Sequence, residues 1–205
     1  MYDYLFFDAA TGTAPFPRPV PLIKPLLTAA LGGAPAEVVG VFAAQLGWTG
    51  TQAAALLRWP GESEARAKAL AALTGAPAMT SVAHDVLTPT VRPLPGAVPH
   101  PGGIYVHRWF VIEASAVDEF VGLSQEGWLD FEDRFDANIF GLFATRPTNE
   151  DKRDGAARLL LITRYGDHGV WEASRDPTST AMQAFARRQA LTRVSWAASS
   201  LLVGD

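Results

Sequence analysis

This chain of 205 residues repeats itself, and that repeat limits what it can fold into more than any other feature. Gly40-Val41-Phe42-Ala43-Ala44 lies against Gly141-Leu142-Phe143-Ala144-Thr145. Further on, Leu57-Arg58-Trp59, followed by Pro60-Gly61, corresponds to Thr163-Arg164-Tyr165, followed by Gly166-Asp167. Upstream, Tyr2-Asp3-Tyr4-Leu5-Phe6-Phe7 lies against Tyr105-Val106-His107-Arg108-Trp109-Phe110. Three matches in the same order point to a duplication.

Each copy then reads as the same series of elements. A strand rich in aromatic and branched residues is predicted over about 2–8 and again over about 104–112. A helix follows in both. In the first copy Leu22, Ile23, Leu26, Leu27, Ala30 and Leu31 form a helical stripe, with Pro21 suited to a first turn and Gly32-Gly33 to a stop. In the second, Ser115 and Asp118 form a capping-box pattern ahead of Val117, Phe120 and Val121. Hairpins are expected from about 37–45 to 52–59 and from about 138–146 to 157–165, turning through Leu46–Thr51 and through the longer Pro147–Gly155. A helix over about 62–74 ends at Gly75, and its counterpart over about 168–190 is broken near Pro177. Last strands are expected near 79–88 and 192–203. Pro89 to Gly103, with five prolines and three glycines, reads as a linker, which divides the chain into 1–88, 89–103 and 104–205.

A β-α-β-β-α-β unit makes a four-stranded antiparallel sheet with both helices on one face, and the other face needs a cover. Two units in one chain can supply it to each other, packing sheet to sheet as the halves of an α/β barrel. Continuous apolar runs such as Leu159-Leu160-Leu161-Ile162 fit strands buried on both faces. A monomer could close such a barrel alone, and outer helices or sheet edges could pair it into a homodimer.

Composition removes several function classes. At 48% hydrophobic the chain can bury a substantial core, and with no cysteine it has no disulfide, zinc–thiolate site or cysteine nucleophile. A net charge of −4 with scattered arginines gives no basic face for nucleic acid. Arg187-Arg188 with Arg193 is the nearest approach to a patch, and its position near a helix end reads as compensation of the dipole. The start, Met1-Tyr2-Asp3-Tyr4-Leu5, lacks the pattern of a secretion signal, and no stretch has the length and apolarity of a membrane span. A soluble, cytoplasmic protein with no membrane partner is the expectation.

Ile104-Tyr105-Val106-His107-Arg108-Trp109-Phe110, the segment Val117-Asp118-Glu119-Phe120, Gly141-Leu142-Phe143, and Leu161-Ile162-Thr163-Arg164-Tyr165 resemble the NIPSNAP family of the dimeric α/β-barrel superfamily. The resemblance covers the second half well and the first weakly. It implies an α+β fold of two tandem ferredoxin-like β-α-β-β-α-β units. It brings no agreed catalytic residues. Related barrels include cofactor-independent monooxygenases, haem-binding and haem-degrading proteins and small isomerases, and fold alone does not choose among them.

The halves differ most where His107-Arg108-Trp109 stands against Tyr4-Leu5-Phe6. At these three positions the histidine and the arginine occur in one copy only, which places the candidate site in the second half. Arg108 must pair or reach water, because an isolated buried guanidinium is costly. It could anchor a carboxylate, a phenolate or a haem propionate, with Tyr105, Trp109 and Phe110 as further ligand-binding candidates. The competing reading is a structural ion pair with Glu113, Glu126 or Glu132. His107, which shares with Trp109 the strand face opposite Arg108, could be a general base or an axial haem ligand, or a packed core residue. His84-Asp85 has the same ambiguity, His168 beside Asp167 reads as part of a helix cap, and Ser124 as inert. Arg58 and Arg164 recur at matching positions, as expected of structural pairs with acidic helix residues. The acidic run Glu126 to Asp136, carrying Trp128, Phe131 and Phe135, reads as a helix with one solvated and one packed face, and no metal site is expected.

Two classes of function stay open on these residues. One is a pocket for a small apolar or aromatic anion, used for oxygenation or isomerisation without a cofactor, with haem binding as a minor variant. The other is a non-catalytic assembly or stress protein whose barrel is filled with side chains.

Overall fold

Each half of the chain folds as β-α-β-β-α-β, and the computed structural model describes residues 1–10 and 19–204. The first half contains β1 (Tyr2–Ala9), α1 (Val20–Leu31), β2 (Glu37–Ala44), β3 (Gln52–Arg58), α2 (Glu64–Thr74) and β4 (Met79–Arg92). The second contains β5 (Ile104–Glu113), α3 (Val117–Arg134), β6 (Ala137–Thr145), α4 (Asn149–Arg153), β7 (Ala156–Tyr165), α5 (His168–Ala173), α6 (Thr180–Ala190) and β8 (Thr192–Leu202). The hydrogen-bonded strand order β1-β3-β2-β8-β5-β7-β6-β4 closes a barrel, as expected of an α+β chain with this unit repeated. No described helix is long and apolar enough to cross a membrane.

Two compact units divide the chain differently from the boundaries expected. The first comprises residues 1–87 and the end of the chain from Ala198, and the second Thr88–Ala197. The reason lies in the two long last strands. β4 runs on to Arg92 through the start of the proline-rich segment, and the tip of β8 pairs with β2, Phe42 opposite Leu202.

In the first unit β1 lies between β3 and β4, with Leu5 opposite Ala55 and His84. Alternation turns Leu5, Phe7, Val41, Ala55 and Leu57 to one face, where they join Ile23 and Leu27 of α1 and Leu73 of α2 in a single apolar cluster. Tyr4, Phe42, Ala54 and Leu56, one position out of phase, are buried as well. Both faces of these strands are therefore dry, which is why their sequences do not alternate with polar residues.

The second unit repeats the first to the residue in its strand registers. Tyr2 pairs with Arg58 across β1 and β3, and Tyr105 with Arg164 across β5 and β7. Both hairpins shift register just before the glycine of the shared motif, between Val38 and Gly40 and between Ile139 and Gly141. A Cβ on Gly40 would lie 3.0 Å from the Phe42 ring, and one on Gly141 2.8 Å from the Phe143 ring. The Gly-x-Phe motif is thus a packing device, in which the glycine makes room for the ring two residues on. The recurrent arginines are structural in both units. Their partners open the neighbouring strand instead of lying on a helix: Arg58 pairs with Glu37, and Arg164 with Asp136.

Two other local features depart from expectation. Ser115 does not cap α3; Ala114–Ala116 form a 3₁₀ turn, Ala116 precedes the helix without a side-chain cap, and Asp118 and Glu119 in the first turn complement the dipole. The loop expected over Pro147–Gly155 holds α4, closed by a capping box between Thr148 and Asp151. On α3, Phe120, Trp128 and Phe131 face inward, and a Cβ at Gly127 would overlap the ring of Phe185 on α6, so this glycine sets how closely the two helices pack.

Candidate functional site

The face of β5 that meets α3 and α6 carries Val106, Arg108 and Phe110. By register Arg108 occupies the position that Leu5 holds in the first unit. Where the first unit closes this position with its apolar cluster, the second leaves a narrow cavity of about 20 Å³, room for one water.

Three guanidinium groups line that cavity: Arg108 from β5, Arg188 from α6 and Arg175 from the connection between α5 and α6. Arg108 makes no hydrogen bond or ion pair with any described residue. The three carboxylates considered for it are engaged elsewhere, Glu113 by Arg193, Glu126 by Arg187 and Glu132 by Arg92 at 2.7 Å. Arg188 is 7% exposed and lies among aromatic faces, its guanidinium carbon 4.5 Å from the ring centre of Phe185, 5.0 Å from that of Phe110 and 5.3 Å from that of Phe120. Each contact favours the cation. Its Nη1 donates to Ser124 Oγ at 3.3 Å. Arg175 stacks on Trp171 and donates from Nη2 to Tyr165 Oη at 3.2 Å.

No acidic side chain lines the cavity. Nε of Arg175, Nε of Arg188 and Nε1 of Trp128, all on lining residues, are buried N–H donors without an acceptor. Burial first, and then Arg108 and Arg175 nearby, push Arg188 down to about 9, still charged at neutral pH. Arg108 is lowered by burial and then by Arg175. Burial raises the Tyr165 phenol and outweighs the three arginines that oppose it, so Tyr165 stays protonated. The result is a concentration of positive charge and donors around one buried and two half-buried guanidiniums, with a neutral hydroxyl at its wall.

The remaining sequence candidates separate by strand face. Phe110 backs Arg188. Tyr105, His107 and Trp109 point to the opposite face and do not line this cavity. The Tyr105 hydroxyl donates to the His100 carbonyl at 2.6 Å, and Trp109 stacks on Trp196. His107 is buried and lines none of the four cavities described, which hold about 20 to 440 Å³. An axial haem ligand needs an open face toward the macrocycle, so His107 does not fit that role. Burial pushes its pKa down to about 3.

That depression has a measurable sign. Between the ordinary value of 6.5 and about 3 the unfolded chain binds a proton that the folded protein refuses, so stability falls as pH drops through this window. His107→Leu should remove that slope. Parent and variant, unfolded in urea at pH 7 and pH 4, should differ in pH dependence by on the order of a few kcal/mol, and parallel curves would contradict a neutral buried His107.

Sequence reasoning missed Arg175, Arg188, Tyr165 and Trp128. Arg188 carried a signal: Ala181, Ala184 and Arg188 are spaced to share one helix face, and all three are buried. Reading it as compensation of the dipole is corrected by that burial, whereas Arg187 and Arg193 do form exposed ion pairs. His168 opens α5 next to the capping Asp167, and Ser124 Oγ donates to the Phe120 carbonyl at 2.7 Å.

The first unit handles buried charge in the opposite way. Asp3, on β1 and fully buried, accepts from Arg66 Nε at 2.8 Å and Nη2 at 2.6 Å, and lies 2.7 Å from His84 Nε2. Here the buried guanidinium of Arg66 has its carboxylate. Among the described residues no group of histidines and carboxylates could hold a metal ion.

No protein-family model and no curated protein matches this chain. Among solved structures it is similar to an anthrone oxidase-like protein, over 99% of this chain and 91% of that one, at 14% identity and a TM-score of 0.64. The chain has the ferredoxin-like dimeric α/β-barrel fold. A putative monooxygenase from Fusobacterium nucleatum subsp. nucleatum ATCC 25586 is similar over 99% and 92% of the two chains, at 9% identity and a TM-score of 0.56. A NIPSNAP family protein from Agrobacterium tumefaciens str. C58 aligns with 58% of this barrel and 96% of its own chain, at 17% identity and a TM-score of 0.40.

Proposed function

We propose that the second unit binds a small apolar or aromatic anion through Arg108, Arg175 and Arg188, and uses it in an oxygenation or isomerisation that needs neither metal nor organic cofactor. One observation carries the reading: Arg108, half-buried, stands beside the half-buried Arg175 and the buried Arg188 with no carboxylate among the lining residues. Guanidinium groups there stabilise a phenolate or enolate, lowering the pKa of the ligand that forms it. Such an anion is the form that reacts with dioxygen in an oxygenase. In an isomerase it is reprotonated, and the neutral Tyr165 hydroxyl is placed as the proton donor. Similarity to barrels named as oxidase-like and monooxygenases agrees with the first of these.

The void is water-sized, so the body of such a ligand enters by displacing wall groups. Arg175 is the natural one to move. It sits on the connection after α5, a helix with no buried residue, whereas Arg108 and Arg188 stand on a central strand and a packed helix. Duplication within one chain, kinship of residues 104–205 with NIPSNAP proteins, cytoplasmic residence and a monomeric pseudo-dimer or a homodimer belong to the same reading.

The small void also favours a second reading, a non-catalytic assembly or stress protein with this site packed shut. Titration with 2-hydroxybenzoate, read by tryptophan fluorescence, separates the two. Trp128 lines the site and Trp171 carries Arg175, so binding should change the emission saturably, and Arg175→Met should weaken the response several-fold. A parent protein that shows no saturable change overturns the binding reading.

A further inference from the structure

The charge of the ligand can be read from the wall that would hold it. Three cations border one water-sized void, and no carboxylate lies among its lining residues. A monoanion would neutralise one of them and leave two uncompensated around the buried Arg188, where solvent screens only the half-buried Arg108 and Arg175. The donor inventory points the same way. Arg108 offers five N–H groups, none bonded to a described residue, and buried N–H groups of Arg175, Arg188 and Trp128 lack acceptors. The only side-chain acceptors among the lining residues are the hydroxyls of Thr163 and Tyr165, and Tyr165 already accepts from Arg175.

We infer that this site takes a compact, doubly charged oxyanion head group, a phosphate-type or dicarboxylate dianion on an apolar body; the inference rests on the anion-binding reading above. A dianion brings the charge that three guanidiniums require and enough oxygens to accept from Arg108, Arg188, Arg175 and Trp128 at once. Arg188 is the specificity-determining residue, because it stays buried with its rings whether or not Arg175 moves.

Calorimetric titration at pH 7.5 and fixed low ionic strength tests this with three one-ring probes: phenyl phosphate, phthalate and benzoate. The first two are dianions at that pH, and the third is a monoanion. At least one dianion should bind the parent about tenfold tighter than benzoate, a difference of about 1.4 kcal/mol, and whichever leads identifies the head as tetrahedral or as a dicarboxylate. Arg188→Met should shrink that preference, and Arg175→Met, outside the packed core, repeats the test if Arg188→Met fails to fold. A preference below about threefold overturns the dianion and leaves the anion site standing. A preference of unchanged size in a folded variant overturns it too, because the discrimination then arises elsewhere. Failure of all three probes to bind the parent overturns the anion-binding reading itself.

Discussion

Replacing Arg66 by methionine should lower stability by about 3–5 kcal/mol, because it strands the Asp3 carboxylate inside the first unit. Asp3 is fully buried and takes two hydrogen bonds from this one guanidinium, at 2.6 and 2.8 Å. His84 alone then faces a charge that cannot reach water. At about 2–4 °C per kcal/mol for a chain of this size, Tm should drop by roughly 10 °C. The effect has a defined pH dependence. Burial raises the Asp3 carboxyl, but the hydrogen bonds from His84 and Arg66 outweigh it and hold the group below its ordinary value of 3.8. A depressed carboxyl stabilises the fold above that value and loses the contribution as pH falls through its folded pKa. Melts of parent and Arg66→Met should therefore lie far apart at pH 7 and converge in acid. A gap as wide at pH 3 as at pH 7 would mean that the pair is not what the substitution removes.

Arg108→Met should weaken anion binding by about 2–3 kcal/mol, the upper part of the range for hydrogen bonds to a charged group, since the half-buried Arg108 can place several donors on one anion. Phenyl phosphate, titrated calorimetrically into parent and variant, should show a loss of affinity of at least about thirtyfold. Affinities within twofold of each other would remove Arg108 from the site. The size of the effect follows from position: Arg108 projects from the centre of a ten-residue strand hydrogen-bonded to β7 along its length, so the strand holds its backbone in place.

The fold was legible because the repeat carried its own packing logic. Gly40 and Gly141 make the same room for Phe42 and Phe143, and Arg58 and Arg164 meet an acid at the same strand edge, so each motif could be checked against its copy. The capping box at Ser115 could not be read correctly, since a 3₁₀ turn and a helix start share the same local sequence preferences. At the site, the asymmetry between Leu5 and Arg108 is visible when the two copies are laid together, and strand alternation alone separates Arg108 from His107 and Trp109. Arg175, Arg188 and Tyr165 were not legible as a group. They lie on separate elements of the second unit, and only tertiary packing brings them to Arg108. Nor could the sequence tell which carboxylates were taken: Glu113, Glu126 and Glu132 each had several arginines within plausible reach.

Arg108 pairs with no described carboxylate, and a thermal melt of Arg108→Met beside the parent, without ligand, at low salt and neutral pH, reads this directly. With no carboxylate stranded and one of three repelling charges removed, the account predicts a Tm equal to that of the parent or a few degrees higher. A fall comparable to that of Arg66→Met would show Arg108 to be one half of a buried pair, and would contradict the account.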